Sequence, residues 1–386
     1  DVSLEKMDPW EDPALTVDVL TLKANAIAKI MLDTLGPEKT GQLLASVRET
    51  GKGRSFTLMD VVNAGKTLGY DLEEILGDWL GSTDLPGFVC EKAKIYRIAD
   101  FEDGNPRYQV LLKIRNDEPA PGFFRFIYYY SREGGKADNS KSNPVRIPGK
   151  STVQYGTIVS SPPASIFLEP YLSLNRTAIF LPVDRKDAQV IKNENPIEGT
   201  EKLPYAIPEE TSIVVDDLDP GFSIIKEQKD NGIRLIGRDK KKENLDQGLP
   251  LTPYYRVPEA WSRVLYTSSY GKYRQTFAVV GEGDGDKKAV IEADINKDGQ
   301  WDLEIFLPYK PNIMQRREWG TYYLVVTDNN GDKHDIKFDS KAAAMGWNLA
   351  GSFYLPEGRA TVTISNKTDG DFVVVDAVRW TPSAGS

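Results

Sequence analysis

Around Leu85-Pro86-Gly87 the apolar residues change period, and that change constrains the fold more than any other feature. Before it, apolar residues recur every three or four positions. Leu15, Val19, Leu22, Ala26, Ile27, Ile30 and Met31 fall on one helical face. Asp12-Pro13 opens that helix, because proline in the first turn gives up no intrahelical hydrogen bond. Gly36-Pro37 stops it. A second helix carries Leu43, Leu44 and Val47 and breaks at Gly51-Lys52-Gly53. Thr57, with Asp60 three residues on, predicts an N-cap close to a capping box for a third. A fourth spans Asp71 to Leu80, with Leu72, Ile75, Leu76, Trp79 and Leu80 on one side and Trp79 expected in the core.

After the change the period is two. YQVLLKIRN, GFFRFIYYYS and TVQYGTIVS read as strands, separated by Glu102 through Pro106, by Asn116-Asp117 and by residues 134–143. Such punctuation predicts a small antiparallel β-sandwich. Tyr128, Tyr129 and Tyr130 must alternate faces, so they cannot form one stacking platform. The polar, non-periodic residues that follow read as a linker over 186–206. TSIVVDDLDPGFSII opens a further domain, and KEQKDNGIRLIGRDKKKENLDQG is expected to be an exposed loop. Then TFAVV, KKAVIEADI, WDLEIFLP, TYYLVVTD, HDIKFDS, GSFYLP, RATVTISN and DFVVVDAVRW predict a larger sandwich. The expected class is multidomain α + β. A helical domain over 1–85 is followed by two antiparallel β-sandwich domains, a small Ig-like one over 86–185 and, after the linker, a larger one over 207–386.

A chain of 386 residues is too long for one ordinary core, which agrees with several domains. No apolar run reaches about 18 residues, the length a membrane helix needs. The start, DVSLEKMDPWEDPAL, has no initiator Met and no leader-like pattern, so a fragment of a longer protein is expected. The net charge of -9 argues against nucleic acid or an anionic membrane as partner. Cys90 is the single cysteine, which leaves no intrachain disulfide and no cysteine metal cluster. Its strand-like flank, GFVCEKAKI, suggests a buried structural thiol. His334 is the single histidine, whereas a zinc protease helix needs two, one turn apart. In DNNGDKHDIKF it is expected to pack or hydrogen-bond at a strand end. Carboxylate-pair chemistry stays open, because Asp and Glu are plentiful.

DINKDGQWD places Asp294, Asn296, Asp298, Gly299 and Asp302 as a calcium loop would, yet position twelve is Ile305 where a bidentate Glu is wanted. A hairpin turn is the competing reading. GEGDGDKK reads as a turn. Trp261, Trp301, Trp319 and Trp347 suit either a sugar-stacking surface or a sandwich core, and the core is favoured. Asn175-Arg176-Thr177 matches a glycosylation sequon by pattern only.

The helical phrases KANAIAKIMLDTLGPEKTGQLLASV and FTLMDVVNAGKTLGYDLEEILGDWL, then LPGF, resemble the C-terminal helical region of aminopeptidase N-type gluzincin metallopeptidases. Met31, Leu32, Leu35-Gly36, Phe56, Gly69, Asp71-Leu72, Trp79-Leu80 and Pro86 carry the likeness. That family's H-E-x-x-H helix, distal glutamate and catalytic tyrosine lie upstream of this phrase, so the resemblance implies a zinc site outside this chain. The stretch ending EPYLSLNRTAIFLPV is similar to the β-sandwich that trails some of these peptidases. VDDLDPGF, YGKYRQT, GQWDLEIFLP, GTYYLVVTDNNGDKHDIKFD, GWNLAGSFYLPEG and VTISNKTDGDFVVVDAVRW resemble the golvesin C-terminal-like domain, which is also likened to the carbohydrate-binding module of xanthan lyase. Within it, Gly346-Trp347 is expected to cap the core, Asp376 and Arg379 to pair, and Trp380 to plug the core.

The expectation is a non-catalytic C-terminal portion of a bacterial zinc-aminopeptidase-like protein. It has no catalytic, cofactor-binding or metal residue of its own, and zinc is confined to the upstream domain. Its β-sandwiches would position the peptidase or bind polysaccharide or a cell-envelope component, in an extracytoplasmic setting. Two alternatives stand beside it: a carbohydrate-active lyase or hydrolase using carboxylates, and a structural protein-interaction module.

Overall fold

The computed structural model describes residues 3, 6–76, 81–131, 138–191, 195–225, 249–309 and 317–383. The chain forms two compact units, Asp1–Ile207 and Pro208–Ser386.

The first unit opens with α1 (Pro13–Thr50), whose N-cap Asp12 accepts the Leu15 N–H. The run is two helices in line. Gly36 sits at φ 80 and ψ 164, a conformation outside the helical region that a side chain would disfavour, and Pro37 restarts the helix. α2 (Leu58–Thr67) begins with the expected capping box: Asp60 N–H reaches Thr57 Oγ1, and Thr57 N–H reaches Asp60 Oδ2 at 2.7 Å. Arg54 holds the same carboxylate through two hydrogen bonds and, with the Thr57 N–H, keeps Asp60 well below the usual carboxylate range. α3 (Glu73–Leu76) is the described part of the fourth helix. Trp79 and Leu80 lie outside the described residues. Ile30, Leu43 and Leu72 are fully buried where these helices meet.

The sandwich of this unit has two sheets. The first contains β1 (Phe88–Cys90), β2 (Ala93–Ile98), β3 (Arg107–Asn116), β7 (Ser151–Val159), β10 (Val183–Ile191) and β11 (Gly199–Leu203). Its order is β10-β2-β3-β7-β11, with β1 also on β3. The second contains β4 (Gly122–Tyr130), β5 (Asp138–Lys141), β6 (Val145–Ile147), β8 (Ser165–Pro170) and β9 (Ile179–Leu181). Inward residues alternate as strand geometry requires, with Ile95, Val110, Leu112 and Ile114 meeting Phe124, Phe126, Ile166 and Leu168. Tyr128 points inward, while Tyr129 lies on the other face against Phe167. The turn expected over 134–143 lies partly outside the described residues, and its end is strand β5.

The segment 186–206 does not behave as the expected linker. β10 pairs parallel to β2, and β11 pairs antiparallel to β7, so the two strands form both edges of one sheet. An edge strand needs its backbone groups far more than apolar side chains, and the charged, exposed β11 shows no alternation to read. Gln109 adds to the clasp. Its side-chain amide donates to Ile197 O and accepts from Ile197 N, both at 2.9 Å.

A charged network joins α1 to the sandwich. Arg125, nearly buried, contacts Asp33 and Glu169 at 2.6 Å each. Lys29 reaches the same Glu169, and Tyr171 donates to Asp33 at 2.8 Å. Cys90 is half-buried rather than buried as expected, and desolvation pushes its thiol up to about 12.

The second unit has three sheets around one core. β12 (Ile213–Asp216), β23 (Ala377–Pro382), β17 (Gly299–Leu307) and β20 (Gly346–Leu355) form a four-stranded sheet in that order. β13 (Phe222–Ile225), β16 (Lys288–Ile295), β21 (Gly358–Ser365), β18 (Thr321–Thr327) and β19 (Lys333–Asp339) form a five-stranded one. β14 (Ser262–Leu265), β15 (Thr276–Gly281) and β22 (Phe372–Val375) form a short third sheet, largely buried. The chain leaves β22 for β23 at Asp376, passing from one sheet to another. Trp301, Leu303, Ile305 and Trp380 from the four-stranded sheet face Ile291, Tyr322, Leu324 and Val362 from the five-stranded sheet. Trp380 is the core plug it was expected to be. Losing a side chain of that size in a core costs about 3–5 kcal/mol. The long charged stretch 226–248 lies outside the described residues.

Candidate functional site

The outward side chains of the four-stranded sheet form rows across its strands. Phe306 stands beside Trp347, and Glu304 stands between Arg379 and Leu349. Asp302 lies between Thr381 and Ser352, and Gln300 beside Tyr354. A bulge in β20, between the partners of Leu303 and Glu304, aims Leu349 outward.

Two large side chains of this face are left in water. Tyr354 is 64% exposed and Leu349 62%, so both present apolar surface to solvent on this face. Around them the polar groups are fixed. Arg379 grips Glu304 with two bonds, 2.7 and 2.8 Å, and its guanidinium lies 4.4 Å from the Trp347 ring centroid. Asp302 accepts from the hydroxyls of Ser352 and Ser383, at 2.5 and 2.7 Å, which hold its carboxyl below the usual range.

Behind Trp347 the loop between β14 and β15 delivers Tyr270. Tyr270, Phe306 and Trp347 meet edge to face, with centroids 5.2 to 5.6 Å apart. Gly271 makes the delivery possible. At φ 127, a Cβ there would stand 2.1 Å from Arg274 O. The Tyr270 N–H binds the Asp376 carboxylate at 3.1 and 3.2 Å. Burial first, and then the carboxylates of Glu210, Asp216 and Asp219, push the Tyr270 phenol up to about 12.

Beneath the loop lie Asp216, Asp217 and Asp376, all buried. Asp217 binds fully buried Arg263 (Nε to Oδ2, 2.6 Å) and the Thr276 hydroxyl at 2.6 Å. Burial is the main force raising all three carboxyls. Arg263 and Thr276 oppose the rise at Asp217, whereas Asp376 is pushed further up by Asp216 and Asp217. These carboxylates are enclosed and do not face a cleft.

Several expected residues sit elsewhere. Trp261, Trp301 and Trp319 are core, and Trp347 alone of the four reaches the outer face. Trp347 therefore does not cap the core. Asp376 and Arg379 do not pair, because residues three apart on extended chain point to opposite faces. Arg379 takes Glu304, and Asp376 takes Tyr270. His334 packs on Phe353, with ring centroids 5.0 Å apart. DINKDGQWD is not a hairpin: it is the turn by which the chain crosses from β16 in the five-stranded sheet to β17 in the four-stranded one. Its Asp298 binds Glu357 N–H, whereas Asp302 is on the sheet face, so the two carboxylates are committed to different partners. Among the described residues no three His, Cys, Asp or Glu side chains gather as a metal site. Tyr354, Leu349, Glu304 and Tyr270 were not singled out from sequence. The alternation in GSFYLP, with Phe353 inward and Tyr354 outward, could have found the first.

Among solved structures, the chain is similar to Paenibacillus xanthan lyase, with 15% identity and a TM-score of 0.31 over 79% of this chain and 26% of that one. The chain thus spans about a quarter of that enzyme's length. The CBM35 of Cellvibrio japonicus Abf62 overlaps at 17% identity and a TM-score of 0.23, over 31% of this chain and 79% of that one. The CBM22-1–GH10 modules of Clostridium thermocellum endo-1,4-β-D-xylanase 10B, complexed with xylohexaose, overlap at 12% identity and a TM-score of 0.21, over 34% and 28%. No curated protein matches the chain. The comparisons lend no support to the aminopeptidase resemblance of the helical segment. They do support the resemblance in the second unit: residues 253–382 match the golvesin C-terminal domain.

Proposed function

We propose that the second unit binds polysaccharide on the outer face of its four-stranded sheet, and that the chain binds without turnover. One observation carries this reading: Tyr354 and Leu349 are exposed in a strip flanked by ordered polar groups on Asp302, Ser352, Arg379 and Glu304. A pyranose ring has apolar C–H faces and an equator of hydroxyls. The strip offers a surface to the first and fixed donors and acceptors to the second. The resemblance to a carbohydrate-binding module of xanthan lyase agrees with it, and a polysaccharide ligand fits an extracytoplasmic setting. The helical phrase that resembles an aminopeptidase tail adds nothing to this reading.

The test is affinity electrophoresis of the chain through gels containing neutral xylan or β-glucan. Tyr354→Ala should weaken retardation about tenfold, the scale of one lost aromatic contact, while leaving the unfolding midpoint unchanged. Equal retardation of Tyr354→Ala and the parent chain would overturn the assignment of this face. Added zinc and an aminoacyl substrate should give no hydrolysis.

A further inference from the structure

The outer face of the five-stranded sheet carries a different chemistry. One row runs across all five strands: Lys337 on β19 pairs with Tyr323 on β18, Ser365 on β21 pairs with Lys288 on β16, and Lys288 pairs with Ile225 on β13. Lys333 stands further along β19, and Lys367 follows β21. Together they border a trough of ≈ 650 Å³ whose floor includes the hydroxyls of Thr327, Thr363 and Ser365.

The state of the four ammonium groups is the informative part. None is ion-paired among the described residues, although the chain as a whole is acidic at -9. Asp284 and Asp335 also line the trough, yet neither binds a lysine there. Two of the lysines are held by a ring. Lys367 Nζ lies 5.2 Å, and Lys337 Nζ 6.0 Å, from the Tyr323 centroid. A cation–π contact positions an ammonium without neutralising it, so the charge stays available to an anion. Lys337 and Lys288 sit three strand spacings apart, about 14 Å. That span needs a ligand with repeated anionic groups.

We propose that this trough is a second glycan site, one that takes an acidic polysaccharide built of uronate residues. The lysines meet its carboxylates, and the floor hydroxyls meet its own hydroxyls. The two trough aspartates fit a glycan with about one charge per sugar better than the denser charge of a nucleic acid. The inference takes the glycan-binding reading as its ground and adds a second face and a charge requirement.

The experiment uses the full chain with polygalacturonate, the same polymer after reduction of its carboxyls, neutral xylan and a duplex DNA oligonucleotide. The expected result is binding to polygalacturonate that weakens as salt rises, because screening sets in over about 10 Å at 0.1 M. Carboxyl reduction should weaken it about tenfold, and so should Lys288→Gln with Lys337→Gln. Tyr323→Leu, which keeps bulk and removes the ring, should weaken it in the same direction. Tyr354→Ala should leave it within about twofold, since that residue belongs to the other face. Parent-like binding by the double lysine variant, or DNA binding as tight as polygalacturonate, would overturn the trough. Binding of xylan alone would overturn it and leave the first face standing. Binding of neither polymer would overturn both.

Discussion

Asp376 offers a test in which the sign of a pH effect is decided by geometry. Its carboxyl is enclosed where the chain passes from β22 to β23, with Asp216 and Asp217 close by, and its value is raised well above the ordinary 3.8. Between that ordinary value and the raised one, the unfolded chain has released the proton and the folded chain has kept it. The folded state then binds more protons, so stability must fall as pH rises through the window. The slope is about 1.4 kcal/mol per pH unit for one such proton. Asp376→Asn removes the titration but keeps a carbonyl oxygen for the Tyr270 N–H. The variant should match the parent near pH 4 and exceed it increasingly towards pH 8. Urea unfolding followed by tryptophan fluorescence is the assay, because Trp261, Trp301, Trp319 and Trp380 are all buried in this unit's core. Asp216, also raised, leaves a residual slope in the variant. A parent and variant with parallel pH profiles would refute the reasoning, as would a variant less stable than the parent at pH 8.

Two further outcomes follow from desolvated groups. Arg263→Ala strands the Asp217 carboxylate in a fully buried position and should cost about 3–5 kcal/mol in urea unfolding at pH 7, where a loss below about 1 kcal/mol would mean the pair is not the anchor described. Cys90 is half-buried with its thiol pushed up to about 12 by desolvation, so it should react with a thiol reagent at pH 8 far more slowly than a free thiol, and labelling at the free-thiol rate would contradict that shift.

The sequence was most legible where local chemistry and tertiary burial agree. Thr57 and Asp60 cap a helix in the structure as their spacing suggests, and Gly36-Pro37 breaks one. Strands β3, β4, β7 and β15 through β23 lie one face or both against a core, so their patterns survive in the residue order. β10 and β11 do not. They are held at the sheet edges by backbone bonds, and their polar side chains read as linker. The Asp376–Arg379 pairing failed on parity, which alternation could have settled beforehand. The lysine trough was hidden for another reason. Its members stand at positions 288, 333, 337 and 367, brought together only by strand order, and the acidic total masks a local excess of cations. Net charge is a sum, whereas a ligand meets a face.

The two strands at the edges of the first unit's six-stranded sheet also set where this chain can be cut. A dissection after residue 185 falls in a polar stretch that composition alone marks as safe. It would strip six of the nine residues of β10 from one side and all of β11 from the other, baring two rows of unpaired backbone groups to neighbouring molecules. A cut after Ile207 keeps both strands in the sheet. The margin that β11 then presents is charged and exposed, a poorer template for a second copy than the more apolar strand behind it.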